Sequence, residues 1–305
     1  MFESVIAERM NMKWILFLGC YMAVFVLLIF GVTSWDRRRR RTRKPFPENL
    51  KLLRMPGEYL WRRVIAQDES DMQWLGVFAL APILVGSGAL CVVARYLPST
   101  VGGLVLVTVV FVFSLLLCLR WCQQRLERRA NYYLGFFGER YVAECLDPLK
   151  ARGWFIFHDI PCVGATGKFN LDHVALGPGG VWVVETKTRR KGNARPGRKE
   201  HEVFFDGVQI IWPQGEDRAA LTQASQNATW LRDWLEQMTG KTFDVASVVA
   251  VPGYSVIERR LGPVRLANPK NLPDVLIGFG KAVLSKEEID LIRRQLEEKC
   301  RDVEY

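Results

Sequence analysis

Asn170-Leu-Asp-His-Val-Ala-Leu-Gly-Pro-Gly-Gly-Val-Trp-Val-Val-Glu-Thr-Lys187 is the stretch from which the fold can be read. Asn170 to Leu176 alternates, Gly177-Pro-Gly-Gly180 is a tight turn, and Val181 to Thr186 is rich in β-branched residues, so the segment predicts a β-hairpin. Val181-Trp-Val-Val184 is apolar on both faces, which places that strand in the middle of a covered sheet. Counted from Pro178-Gly179, Asp172 and Glu185 lie about six residues back and six forward, level on strands about 4.8 Å apart. Glu185 and Lys187 are two apart and share a face. Two level carboxylates with a lysine beside them make a hard-oxygen site suited to Mg²⁺ or Mn²⁺. A metal there polarises a phosphodiester and lowers the pKa of a bound water, while Lys187 positions that water or stabilises developing negative charge. The same residues also read as a cross-strand salt bridge on a solvated face. Against that, unpaired carboxylates are costly on a buried strand.

Working outward, residues 131–150 have helical spacing, ended by Pro148 and Gly153. Trp154 to Ile160 is a strand closed by Pro161, and Val163 to Lys168 a turn. Val203 to Ile211 alternates around Asp206-Gly207 as a second hairpin. Ala219 to Met238 is a helix, Val245 to Val251 a buried strand, and Ser285-Lys-Glu-Glu288 a capping box opening a last helix to about Lys299. These elements predict a mixed α/β domain over residues 130–305.

Residues 1–129 have a different character. Three uncharged runs, at about 14–32, 74–94 and 101–119, are each long enough to span a bilayer as a helix. The arginine cluster after the first run is a stop-transfer pattern and not a signal-peptide cleavage site. Lys and Arg number two before the first run, eleven in 36–73, one in 95–100 and four just after the third. That alternation predicts a multi-pass protein of the plasma or inner membrane, with its N-terminus outside and its C-terminal domain in the cytoplasm. Both basic blocks can sit against anionic headgroups. Glu58 to Ala66 reads as a short interfacial helix. Residues 1–130 carry 18 Lys and Arg against 9 Asp and Glu, and residues 131–305 carry 24 against 23. The formal net charge of +10 therefore belongs to the first half and is no argument for nucleic-acid binding. The seven cysteines form no CxxC pair, which disfavours a zinc ribbon, a thioredoxin motif or a disulfide scaffold.

Three stretches together carry a family resemblance: Gly138-Glu-Arg-Tyr-Val-Ala-Glu-Cys-Leu146, the hairpin Asn170 to Lys187, and Leu221-Thr-Gln-Ala224. They resemble the nuclease-related domain (NERD), which is placed in the PD-(D/E)XK superfamily with its restriction-endonuclease-like fold. The resemblance covers about 130–255. It implies that Asp172 and Glu185 are metal-binding acids, Lys187 the catalytic lysine, Glu139 the acid of the first helix and Gln223 the polar residue of the later one. Leu171 stands where the superfamily has a proline before the first acid. The implied fold class is α/β, three N-terminal transmembrane helices followed by a restriction-endonuclease-like domain.

The expected function is a membrane-anchored, Mg²⁺- or Mn²⁺-dependent hydrolase of DNA phosphodiesters. The alternative is a catalytically inactive nuclease-fold adaptor binding nucleic acid or protein at the cytosolic membrane face. Arg189, Arg190, Lys191, Arg195, Arg198 and Lys199 follow the hairpin and are candidates to grip phosphates, or else a solvated loop. Gln223 and Asn227 share a helix face, which also reads as a plain polar surface. His173 neighbours Asp172 but points to the other face of the strand. Expected partners are DNA and the lipid bilayer, with a second copy of the chain as a candidate and no nucleotide cofactor.

Overall fold

The structure is a computed structural model. It describes residues 20–21, 23–36, 38–39, 50–96, 101–164, 167–279 and 283–303. The chain divides into a first unit that includes the apolar helix α1 (Ala23–Asp36) and a second unit, Leu53–Asp302. A two-residue strand β1 (Leu52–Leu53) precedes the helices α2 (Glu58–Tyr96) and α3 (Val101–Leu146).

α2 and α3 pack as one antiparallel pair. Trp61 stacks on Phe136 at 5.1 Å, Gln67 Nε2 donates to the Arg125 carbonyl at 2.7 Å, and Phe78 stacks on Trp121 at 3.8 Å. Both helices are long and apolar enough to cross a membrane. Of the first expected span, 14–32, residues 14–19 and 22 lie outside the described residues, and Ala23–Asp36 by itself is a shorter apolar helix.

Two expectations need correcting here. Glu58 to Ala66 is no separate helix but the opening turns of the 39-residue α2. Nothing in Gln67-Asp-Glu-Ser-Asp-Met-Gln73 breaks a helix, and two of its three acids are matched across the pair: Asp68 with Arg129 at 2.6 Å and Asp71 with Arg125 at 3.5 Å. Likewise the third apolar run and the helix expected over 131–150 are one 46-residue helix, α3, within which residues 129 and 130 lie. A 3₁₀ turn (Asp147–Arg152) and a left-handed Gly153 then end it.

Then follow β2 (Phe155–Gly164), β3 (Gly167–Gly177), β4 (Gly180–Thr186), β5 (Glu202–Phe205), β6 (Ile210–Ile211), β7 (Glu216–Asp217), α4 (Ala219–Thr239), β8 (Val245–Ala250), β9 (Ser255–Glu258), β10 (Arg265–Ala267), α5 (Leu272–Gly278), α6 (Lys286–Cys300) and β11 (Arg301–Val303). Pro161 does not close β2 as expected, because β2 is an edge strand where a missing N–H costs no ladder bond. The main sheet has the order β10-β8-β4-β3-β2, antiparallel through β2, β3 and β4 and parallel through β4, β8 and β10. A smaller sheet has the order β7-β6-β5-β9.

The main sheet is covered on both faces. Val174 and Val183 pack with Leu231 and Leu235 of α4 and Ile292 and Leu296 of α6. Trp182 and Val184 pack with Val142 and Leu146 of α3 and with Leu272 and Leu276 of α5. β4 is therefore a central strand with two buried faces, as its unbroken apolar run requires. Ser285 caps α6 in a complete capping box.

Candidate active site

The β3–β4 ladder starts from the pair Gly177↔Gly180 and ends at His173↔Val184, so its next step sets Asp172 level with Glu185. The Thr186 N–H donates to Asp172 Oδ2 at 2.7 Å and fixes that carboxylate beside the end of β4. On its other edge β4 pairs with β8, Glu185 opposite Val249. Glu185 is thus 4% exposed, and Asn227 Nδ2 donates to its Oε2 at 3.0 Å. The Lys187 N–H donates to the Ala250 carbonyl at 2.8 Å, which holds the chain extended past the end of the strand.

Glu139 arrives from α3. Its neighbour Gly138 lets the helix come close, since a Cβ there would run into the Thr188 side chain. Glu139 is 7% exposed, and its Oε2 has no hydrogen-bond partner. Burial, then the carboxylates of Asp172, Asp159 and Glu185, push it up to about 10 against a backbone hydrogen bond from Gly57. Gly57 has φ +73, and a side chain there would strike the ring of Phe136.

Asp172 is pushed up to about 7, first by burial and then by Asp159, and drawn back by the Thr186 N–H and Lys187. Glu185 is raised well above the usual carboxylate range by burial and by Asp172, with Lys187 and Asn227 opposing. Glu139, Asp172, Glu185 and Lys187 therefore act on one another from three elements. Among the described residues, however, no three His, Cys, Asp or Glu side chains are arranged as a ready set of metal ligands.

Gln223 lies exposed on α4, one turn before Asn227, and it is Asn227 that reaches Glu185. The basic loop is partly tied down. Arg189 pairs with Asp217 and lies 4.6 Å over the Trp212 ring. Arg198 donates to the Trp212 carbonyl at 2.7 Å and to Glu216 at 3.3 Å, and Lys199 pairs with Glu202 at 2.7 Å. Arg190, Lys191 and Arg195 are exposed. Arg189 and Arg190, with Asn131, Leu134, Thr188 and Gln214, line a cavity of about 430 Å³ next to Lys187. A larger cavity, about 490 Å³, opens at the other end of β4 beside Gly180 and Val181, away from the acids.

Sequence reasoning passed over Asp159, which is 2% exposed and bonded to Arg54, the Tyr59 N–H and Asn170. No local pattern marks it, because Arg54 and Tyr59 lie about a hundred residues upstream. His173 lies on the opposite face from Asp172, level with His158, with their Nδ1 atoms 2.9 Å apart. Burial pushes His158 down to about 4 and His173 well below its ordinary value, so both are neutral near pH 7.

Residues 134–252 match the nuclease-related domain (NERD) family profile. The match runs from the last turns of α3 to just past β8 and contains Glu139, Asp172, Glu185, Lys187, Gln223 and Asn227. The sheet and the acid pair at the end of its hairpin are consistent with the PD-(D/E)XK superfamily. No curated protein and no solved structure matches the chain.

Proposed function

We propose that this chain is a membrane-anchored nuclease that hydrolyses DNA phosphodiesters with a divalent cation, Mg²⁺ or Mn²⁺. The observation that carries the reading is the meeting of Glu139, Asp172, Glu185 and Lys187 inside the segment that matches the nuclease-related domain. The donor set suits such an ion: three hard-oxygen carboxyls lie close enough that Asp172 raises the pKa of Glu185 and both raise that of Glu139, and one buried oxygen, Glu139 Oε2, lacks a partner. Asp172 and Glu185 would hold the ion, with Glu139 beside them. Bound there, it would polarise the phosphodiester and activate a water.

The chain's own groups would do the rest. The Thr186 N–H and Asn227 orient the two acids. Lys187 places a positive charge where negative charge develops. Arg189 and Arg190, on the neighbouring cavity, would meet phosphates. The exposed apolar lengths of α2 and α3 support anchoring. With three spans the N-terminus would be outside and the catalytic domain in the cytoplasm. At about 1.5 Å per residue, Glu139 would stand roughly 30 Å along α3 from Leu119.

A second reading is a non-catalytic adaptor. It draws on the ion pairs that occupy Arg189, Arg198 and Lys199, and on the absence of a ready ligand trio among the described residues. The full chain in detergent, incubated with duplex DNA, single-stranded DNA and RNA, separates the two. Cleavage of DNA that requires Mg²⁺ or Mn²⁺ and stops with chelator is expected. Salt-sensitive binding with no turnover under any cation would favour the adaptor.

A further inference from the structure

Asp159 is the buried acid that the site has no use for. In the β2–β3 ladder His158 faces His173 and Ile160 faces Leu171, so Asp159 is level with Asp172, which is level in turn with Glu185. Three adjacent strands thus carry an acid at one level, with Glu139 close by. Asp159 departs from the others in two ways. Its backbone is left-handed, φ +49, the one non-glycine residue with positive φ among those described. Its carboxylate is also fully engaged: Arg54 Nη1 reaches Oδ2 at 2.8 Å, the Tyr59 N–H reaches the same oxygen at 2.8 Å, and Asn170 Nδ2 reaches Oδ1 at 2.8 Å. Arg54 is itself held in place. Its Nε and Nη2 grip the two oxygens of Asp302 at 2.6 Å each, and its side chain is 10% exposed.

We propose that Arg54 is a positioning residue of the candidate site, neutralising Asp159 and holding it apart from Asp172, Glu185 and Glu139, so that three carboxylates and not four face the reacting ion. The inference rests on the site reading given under Proposed function. A planar guanidinium suits the task, because one edge can be fixed by Asp302 while Nη1 is aimed at Asp159. An unneutralised fourth carboxylate in this buried row would be expensive and would become a competing ligand. Tyr59 adds the second restraint from the first turn of α2, and Gly57, just before it, supplies the backbone hydrogen bond to Glu139. The working site is then completed by residues 54–59, far upstream of the matched segment, and a fragment beginning near residue 125 would lack that part.

The test uses the full chain in detergent, with thermal unfolding and Mn²⁺ binding by electron paramagnetic resonance as readouts. Arg54→Gln is expected to lower the unfolding midpoint by about 5–10 °C. Adding Asp159→Asn to it should restore at least half of that loss, and Arg54→Lys should keep most of the wild-type value. Arg54→Gln should also bind Mn²⁺ roughly tenfold more tightly, because Asp159 adds a carboxylate to the ligand set, and Asp159→Asn should remove that gain. If Asp302→Asn reproduces Arg54→Gln and Asp159→Asn restores nothing, Arg54 serves the contact to Asp302 alone and the inference fails. Unchanged Mn²⁺ affinity in Arg54→Gln, on a protein that binds the ion, overturns it equally. If neither wild type nor variants bind Mn²⁺, the metal reading falls, and recovery by Asp159→Asn decides the role of Arg54 by itself.

Discussion

In β4 every residue from Gly180 to Glu185 is buried, with strands on both edges and helices on both faces. On α2 and α3, by contrast, Leu75, Leu84 and Leu104 are 66%, 66% and 64% exposed. Both regions are rich in valine and aromatic side chains. What differs is what covers them. β4 finds its apolar environment inside the protein, whereas the outer lengths of the two helices are left uncovered, over a length that would suit a bilayer. The same contrast governs the charges. On the helix pair most lie toward the Glu58 end and some pair across it, as Asp68 does with Arg129. At the end of β4 they are carboxyls brought together against their own repulsion, an arrangement that makes the place a candidate functional site.

The contrast breaks most sharply with one substitution made twice. Leu231→Ala, at a fully buried position on α4, is expected to cost about 2–5 kcal/mol of stability, and Leu84→Ala less than about 0.5 kcal/mol in detergent, both measured by thermal unfolding. Equal effects would mean that α2 is covered by protein.

A smaller effect follows from Glu139. Its folded carboxyl, raised to about 10, keeps a proton that the unfolded chain releases near 4.5. The stability this proton contributes is therefore fullest below about pH 4.5 and declines as pH rises toward 10. In cation-free protein Glu139→Gln should flatten that decline and stabilise the fold by about 2 kcal/mol at pH 8.5, read from unfolding across a pH series. Saturating Mn²⁺ should flatten it in the wild type. Smaller again, Asn227→Ala should cost about 1–2 kcal/mol by leaving Glu185 without its donor, while Gln223→Ala should stay within about 0.5 kcal/mol.

These residues also mark what a sequence can disclose. Asp172 and Glu185 were legible as a level pair because a tight turn lets one count along two strands from a known origin. Gln223 was singled out by resemblance where Asn227 makes the contact, since position along a helix face does not say how deep the helix sits. The sequence divides Glu58 to Tyr96 in two because charges interrupt its apolar periodicity, although nothing interrupts the helix. The clamp of Arg54 on Asp159 was out of reach. It joins residues 105 apart in sequence through a left-handed backbone and a buried ion pair, neither of which leaves a local pattern.

The most direct test of the central claim is cleavage of DNA by the full chain with Mn²⁺, comparing wild type with Lys187→Ala and Glu185→Ala. The account predicts that both variants lose at least about a hundredfold in rate. It also predicts that Lys187→Ala still folds and still binds DNA. Cleavage by either variant at the wild-type rate, or no cleavage by a folded, DNA-binding wild type with either cation, would contradict it.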